Sequence, residues 1–199
     1  MNLTIVPITD FSYQDSILRF CSVPKDFSTH GLKNSSEEYA ELDSFFHTNA
    51  IRLHREDVLF TNVVFDSDNG EVVAFFSMCA GSRQVFKKFR KHHNTPTIGR
   101  NHAMPTVELI CFAISNQYQH RGLGAKLIIQ VMQSAVNVAN TIGASLLVVD
   151  AMYDAVPFYQ RVGFEDIGES HKMFEQTKLA LGMNEVRHAL SKIHSNMNS

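Results

Sequence analysis

The segment from Thr106 to Phe164 constrains this chain most. It reads as a strand, a glycine turn, a long helix, a second strand and a short helix ending in Phe158-Tyr159-Gln160-Arg161-Val162-Gly163-Phe164. Leu109 to Ile114 is an unbroken apolar run, the signature of a buried parallel strand. Leu123, Leu127, Ile128, Val131, Met132, Ala135, Ala139 and Ile142 then recur at helical spacing, and Gly143 supplies a stop. Leu146-Leu147-Val148-Val149 follows as a second buried strand, so the segment predicts a right-handed βαβ unit.

Between the first strand and the helix lies Gln119-His120-Arg121-Gly122-Leu123-Gly124-Ala125, a Q-x-x-G-x-G turn. First-turn amides of a helix lack intrahelical partners and carry the positive end of its dipole, so they attract phosphate. Gly122 and Gly124 present no Cβ to hold a pyrophosphate away, and His120, Arg121 and Lys126 add donors or charge. A dinucleotide site would need a third glycine where Leu127 stands and an acidic ribose clamp about twenty residues on. No Asp or Glu occurs between Glu108 and Asp150. That excludes the nicotinamide reading and leaves a phosphorylated cofactor without the clamp.

Charge supports an anionic ligand. Residues 81–149 hold eight bases against the single carboxylate of Glu108, a net of +7, while the rest of the chain carries −9. At 199 residues and 44% hydrophobic, with fifteen Phe, the chain suffices for one enzyme domain spanning 1–199. It shows no signal-peptide pattern and no run of membrane-spanning length, so a cytoplasmic protein without membrane contact is expected. Cys21, Cys79 and Cys111 read as reduced residues, mostly within apolar runs.

Elsewhere, Leu3–Ile8 reads as a first strand, and residues 10–54 as helices with a cap at Ser35 or Ser36. Val58–Phe65 and Glu71–Met78 flank Asp66-Ser67-Asp68-Asn69-Gly70 as a hairpin. Ala80–Pro105 reads as a long basic connection, residues 165–180 as closing strands, and Asn184–His194 as a terminal amphipathic helix.

The glycine turn after an apolar strand, with F-Y-x-x-x-G-F downstream, resembles the GNAT superfamily of acetyl-coenzyme A-dependent N-acetyltransferases. Glu108-Leu-Ile-Cys-Phe-Ala-Ile-Ser followed by Gln119 to Leu127 is similar to the core of histone acetyltransferases. Glu41-Leu42-Asp43-Ser44-Phe45-Phe46, Ala50 and Gly70-Glu71-Val72-Val73-Ala74-Phe75-Phe76-Ser77 resemble a bacterial branch that includes tRNA-acetylating toxins. The resemblance covers most of residues 40–165. It implies an α/β fold (α+β mixed), with a twisted mixed central sheet flanked by helices.

It also implies roles. The cofactor would be acetyl-coenzyme A, held by Phe112, Ala113 and Ile114 and by Gln119, His120, Arg121, Gly122, Leu123, Gly124, Ala125 and Lys126. Tyr159 lines up with the tyrosine that protonates the departing thiolate; the competing reading packs its ring beside Phe158 and Phe164. Glu108 stands where histone acetyltransferases place a general base. A carboxylate entering an apolar strand should have a raised pKa; the alternatives are an exposed strand end or an ion pair. Met152 stands where many GNAT enzymes carry an Asn contacting the pantetheine arm.

The expected reaction is direct acetyl transfer to a primary amine in a ternary complex. The alternatives are toxin-like acetylation of aminoacyl-tRNA and, from another class, a non-catalytic acyl-coenzyme A-binding module, against which Tyr159 and Glu108 argue. The basic run Arg83–His93, interleaved with Phe86 and Phe89, reads either as a tRNA contact or as a solvated helix face with two buried Phe. His92-His93 with His102 reads as a solvated loop rather than a metal cluster, so no metal is expected. The acceptor's identity, a homodimeric assembly and membership of a toxin–antitoxin pair stay open.

Overall fold

The computed structural model describes residues 1–25, 35–85, 87–93, 103–167 and 176–197. Its strands are β1 (Leu3–Pro7), β2 (Phe60–Asp66), β3 (Glu71–Gln84), β4 (Ala103–Ile114), β5 (Leu146–Ala151), β6 (Glu165–Asp166) and β7 (Thr177–Gly182). They are hydrogen-bonded in the order β1-β2-β3-β4-β5-β7-β6. The helices are α1 (Gln14–Leu18), α2 (Ser35–Thr48), α3 (Ala50–Arg55), α4 (Lys87–His92), α5 (Leu123–Ile142), α6 (Val156–Arg161) and α7 (Met183–Met197). The result is the expected mixed α/β architecture, with parallel β4–β5 pairing in an otherwise antiparallel set of described pairs. Among the described residues, no helix is long and apolar enough to cross a membrane.

The chain forms two compact units, Met1–Cys79 with Ile110–Gly124, and Ala80–Leu109 with Ala125–Ser199. In the first, β1 and β3 both pair antiparallel with β2. The β2–β3 turn is where the sequence placed it: Gly70 takes a φ of 73° and its N–H reaches the Asp66 carbonyl at 2.7 Å. Helices α1, α2 and α3 and this sheet enclose Ile8, Phe11, Ile17, Phe20, Phe46, Ala50, Val63, Val72, Phe75, Cys111 and Ala113. Phe46 stacks on Phe75 with centroids 4.1 Å apart and planes 7° from parallel. Burying each ring contributes about 1.5–3 kcal/mol. Burial also pushes the Cys111 thiol up to about 12, in keeping with an inert core cysteine.

In the second unit, Thr106–Leu109 of β4 lie parallel to Leu146–Val149 of β5, and β5 pairs antiparallel with β7 from Leu146↔Gly182 to Ala151↔Thr177. Helix α5 runs twenty residues to Ile142, and Gly143 ends it at a φ of 80°. Val85, Phe89, Met104, Leu146, Val148, Ile167 and Ala180 form a core cluster here.

Three elements exceed their sequence reading. β3 continues past Met78 to Gln84, and β4 begins at Ala103 rather than Thr106. These extensions alternate or mix buried and polar positions, so they lack the apolar run that marked the strands' other halves. The connection read from Ala80 to Pro105 therefore contains strand at both ends and helix α4 within it. The terminal helix spans Met183–Met197, longer than 184–194. Ser35 opens α2, but the side chains of the two candidate caps lie outside the described residues.

Candidate functional site

In the first unit, the turn after β4 is tied down from several sides. The Gln119 side-chain amide donates to the Ser22 carbonyl at 2.7 Å and to the Ile114 carbonyl at 2.9 Å. Ser22 is itself fixed, its N–H and hydroxyl donating to the buried Asp43 carboxylate at 2.7–3.0 Å. Asn116 adds an N–H to the Cys21 carbonyl and a side-chain amide to the Val23 carbonyl. Ser22 and Asn116 were missed by the sequence reading because their partners lie some ninety residues away. Asp43 lay inside the upstream resemblance, but nothing local assigned it this task.

Beyond Gln119 the backbone turns left-handed at His120 (φ 59°) and again at Gly122 (φ 73°). A Cβ added to Gly122 would meet nothing within 4 Å, so the space above it is open. His120, Arg121, Gly122, Ala125 and Lys126 are exposed, and the Arg121 guanidinium lies 5.6 Å from the Tyr118 ring centroid. Leu123 buries its side chain, so only its backbone could face a ligand there. The first turn of α5 holds no acidic residue to neutralise its positive end. An exposed glycine bend, an uncompensated helix start and neighbouring cations fit a phosphate-bearing group. Upstream, Ala113 is buried, whereas Phe112 and Ile114 are half-buried on the alternate face.

In the second unit, Glu108 departs from the expected raised pKa. Its Oε1 accepts from Arg83 Nε at 2.9 Å and from the Thr106 hydroxyl at 3.1 Å, and its Oε2 accepts from Arg83 Nη2 at 2.7 Å. Burial alone would raise the carboxyl, but the hydrogen bonds and charge of Arg83, with help from Thr106, hold it below its ordinary value. Arg83 also donates to Asp150 at 3.0 Å, and its own pKa is raised. A Cβ on Gly81 would overlap the Glu108 carboxylate, so the two residues fill one space. The ion-pair alternative describes this geometry. Arg83, grouped in the sequence with the basic run, instead joins two strands through their carboxylates.

Tyr159 sits in α6, 4% exposed, with Phe158 and Phe164 at 5.1 and 5.4 Å in edge-to-face arrangements. Its carbonyl accepts from Phe164 N–H while Gly163 turns at a φ of 101°. The F-Y-x-x-x-G-F pattern thus encodes a short helix and its sharp exit. Met152, at the end of β5, accepts at its carbonyl from the N–H groups of Ala155 and Val156.

The basic run divides. Phe89 is buried in the core of its unit and is unavailable for base stacking. Lys87 and Lys91 are exposed, and Arg90 is half-buried with an unpartnered Nε. Phe86 and His102 lie outside the described residues. His93 is enclosed, its ring donating or accepting at Glu185 and Glu165.

Residues 93–179 match the family model described as an acetyltransferase (GNAT) domain. A crystal structure of a Tyr-to-Phe variant of KacT aligns with a TM-score of 0.73 at 17% identity, covering 95% of this chain and 99% of that one. A structure described as a bacterial toxin gives 0.75 at 17% identity, covering 95% of each. AtaT complexed with acetyl-methionyl-tRNAfMet gives 0.71 at 20%, covering 94% and 99%. At these identities the likeness is one of fold. No curated protein matches the chain.

Proposed function

We propose that this chain, whose residues 93–179 match a GNAT acetyltransferase domain and whose fold is that of the solved structures it resembles, is an acetyl-coenzyme A-dependent N-acetyltransferase acting as one catalytic domain over residues 1–199. The observation that carries this reading is the turn Gln119–Lys126: pinned by Gln119, open above Gly122, and leading into a helix whose first turn has no acid. Gln119 to Lys126 would hold the pyrophosphate, chiefly by backbone N–H groups. Acetyl-coenzyme A, when bound, supplies the activated acetyl thioester. The backbone of Phe112, Ala113 and Ile114 aligns the pantetheine arm and polarises the thioester carbonyl. The acceptor nitrogen forms its bond to the acetyl carbon as the carbon–sulfur bond breaks. Tyr159 gives the departing thiolate a proton, and the surplus amine proton leaves to water. A thiol-release assay with amines, peptides and aminoacyl-tRNA tests the reading; absence of release with every acceptor, alongside measured acetyl-coenzyme A binding, would favour the non-catalytic binding module.

Glu108 receives a positioning role in this scheme. A carboxylate held by an Arg83 fork is a poor proton acceptor near neutrality, so we place it in the strand-to-strand network rather than at the acceptor amine. Glu108→Gln should therefore leave the acidic limb of the pH–rate profile in place; a flattened limb would restore the base. The stability of the two proteins should differ with pH. A carboxyl whose folded pKa is lowered stabilises the fold above its ordinary value of 4.5 and loses that contribution as pH falls through the lowered folded value. Urea unfolding should show the wild type more stable at pH 7, the gap closing in acid. A pH-independent gap would mean that the loss arises from packing instead.

A specific observation favours aminoacyl-tRNA as the acceptor. AtaT, of the same fold, is seen with acetyl-methionyl-tRNAfMet, and α4 here exposes Lys87 and Lys91 with no acidic residue between Lys87 and His92. Each phosphate contact releases counterions, so Lys87→Gln with Lys91→Gln should weaken tRNA binding and reduce the salt slope by about two. Acetyl-coenzyme A affinity should be unchanged. Filter binding that detects no tRNA association at low salt removes this acceptor.

A further inference from the structure

We propose that His92, His93 and Glu165 form a binding site for one divalent transition-metal ion of the zinc class, with Glu185 orienting His93. The four residues come from the end of α4, from β6 and from the start of α7, all in the second unit. His92 Nδ1 lies 3.6 Å and His93 Nε2 3.1 Å from the same oxygen, Glu165 Oε2. The three donor atoms lie within 4.8 Å of one another. Metal–ligand bonds of about 2.0–2.2 Å in tetrahedral geometry put neighbouring donors roughly 3.3 Å apart, close to the two shorter separations. Two imidazoles and a carboxylate suit Zn²⁺, Co²⁺ or Ni²⁺ better than Mg²⁺ or Ca²⁺, which prefer all-oxygen sets.

The outer partner distinguishes this cluster from a chance surface grouping. His93 uses its other nitrogen, Nδ1, on Glu185 Oε1 at 2.5 Å. A histidine ligand commonly donates that N–H to a carboxylate, which fixes the tautomer with Nε2 free for the metal. Glu185 is itself anchored, because its Oε2 accepts the Gly182 N–H at 3.0 Å beside the start of α7. The ring rests on Phe89, 4.2 Å between centroids, and the His93 side chain is only 6% exposed. His92 is open to solvent, leaving an entry path and room for water to complete the coordination. The sequence paired these histidines with His102 and read them as a loop. Glu165 and Glu185 lie 72 and 92 residues from His93, beyond any local pattern. Bound metal would tie the end of the basic helix α4 to β6 and, through Glu185, to α7.

The full, tag-free chain should be stripped with chelator and titrated with ZnCl₂ by calorimetry and with CoCl₂ by visible absorption. We expect one ion per chain, Co²⁺ bands from nitrogen and oxygen ligands, and a higher melting temperature with Zn²⁺. His92→Ala, at an exposed side chain, and Glu165→Gln should each weaken binding at least tenfold. Glu185→Gln should weaken it ten- to a hundredfold while keeping the one-to-one stoichiometry. His188→Ala, at an exposed position on α7, should change nothing. Circular dichroism of each metal-free variant separates lost ligation from lost folding. The proposal fails if the wild type shows no saturable uptake of either ion, or if folded His92→Ala and His93→Ala bind as tightly as wild type.

Discussion

Gly124→Glu should abolish acetyl-coenzyme A binding while leaving the protein folded. Gly124 is the second residue of α5, in the half-exposed first turn where the proposed pyrophosphate would meet backbone N–H groups. Glutamate places both a side chain and a negative charge in that space. The helix itself should gain, because a carboxylate in the first turn complements the dipole and glutamate has better helix propensity than glycine. Melting temperature should hold or rise as affinity falls by about a hundredfold or more, equivalent to about 3 kcal/mol. That opposition separates a binding loss from unfolding. Calorimetry that finds wild-type affinity in this variant would falsify the assignment of the turn.

Tyr159→Phe should lower kcat by roughly ten- to a thousandfold with little change in acetyl-coenzyme A affinity, the pattern of an acid that acts only in the transition state. The substitution removes one hydroxyl and keeps the ring that packs between Phe158 and Phe164, so the aromatic contacts and the exit of α6 should survive. Steady-state kinetics beside an acetyl-coenzyme A titration read the two quantities separately. Full turnover in the variant would make Tyr159 a packing residue and leave water to protonate the thiolate.

What was legible in the sequence is what local chemistry dictates. The half of β4 that reads Leu-Ile-Cys-Phe-Ala-Ile, the apolar stripe of α5 and the run in β5 each declare burial by their own periodicity. Gly70, Gly122 and Gly143 take positive φ angles where their turns were read. The strand extensions at Gly81–Gln84 and Ala103–Pro105 were not legible, because they belong to a stretch that reads as a polar, turn-rich connection and lack the apolar run of the strands' other halves. Phe89, interleaved with bases, was open to two readings until its packing against Val85 and Met104 decided between them.

By itself, then, the sequence determined the βαβ segment, the glycine-bent start of α5 and the concentration of positive charge around it. These follow from residues within a turn or two of one another. The tertiary structure alone decided how the charged side chains pair. Arg83 meets Glu108 at a separation of 25 residues and Asp150 at 67, and that meeting turns an expected base of raised pKa into a clamped carboxylate of lowered pKa. His93 likewise gains Glu165 and Glu185 only through the placement of β6 and α7. A side chain's proton affinity and ligand set depend on what lies within a few ångströms of it, and strand register and helix placement set that distance, which no local pattern encodes.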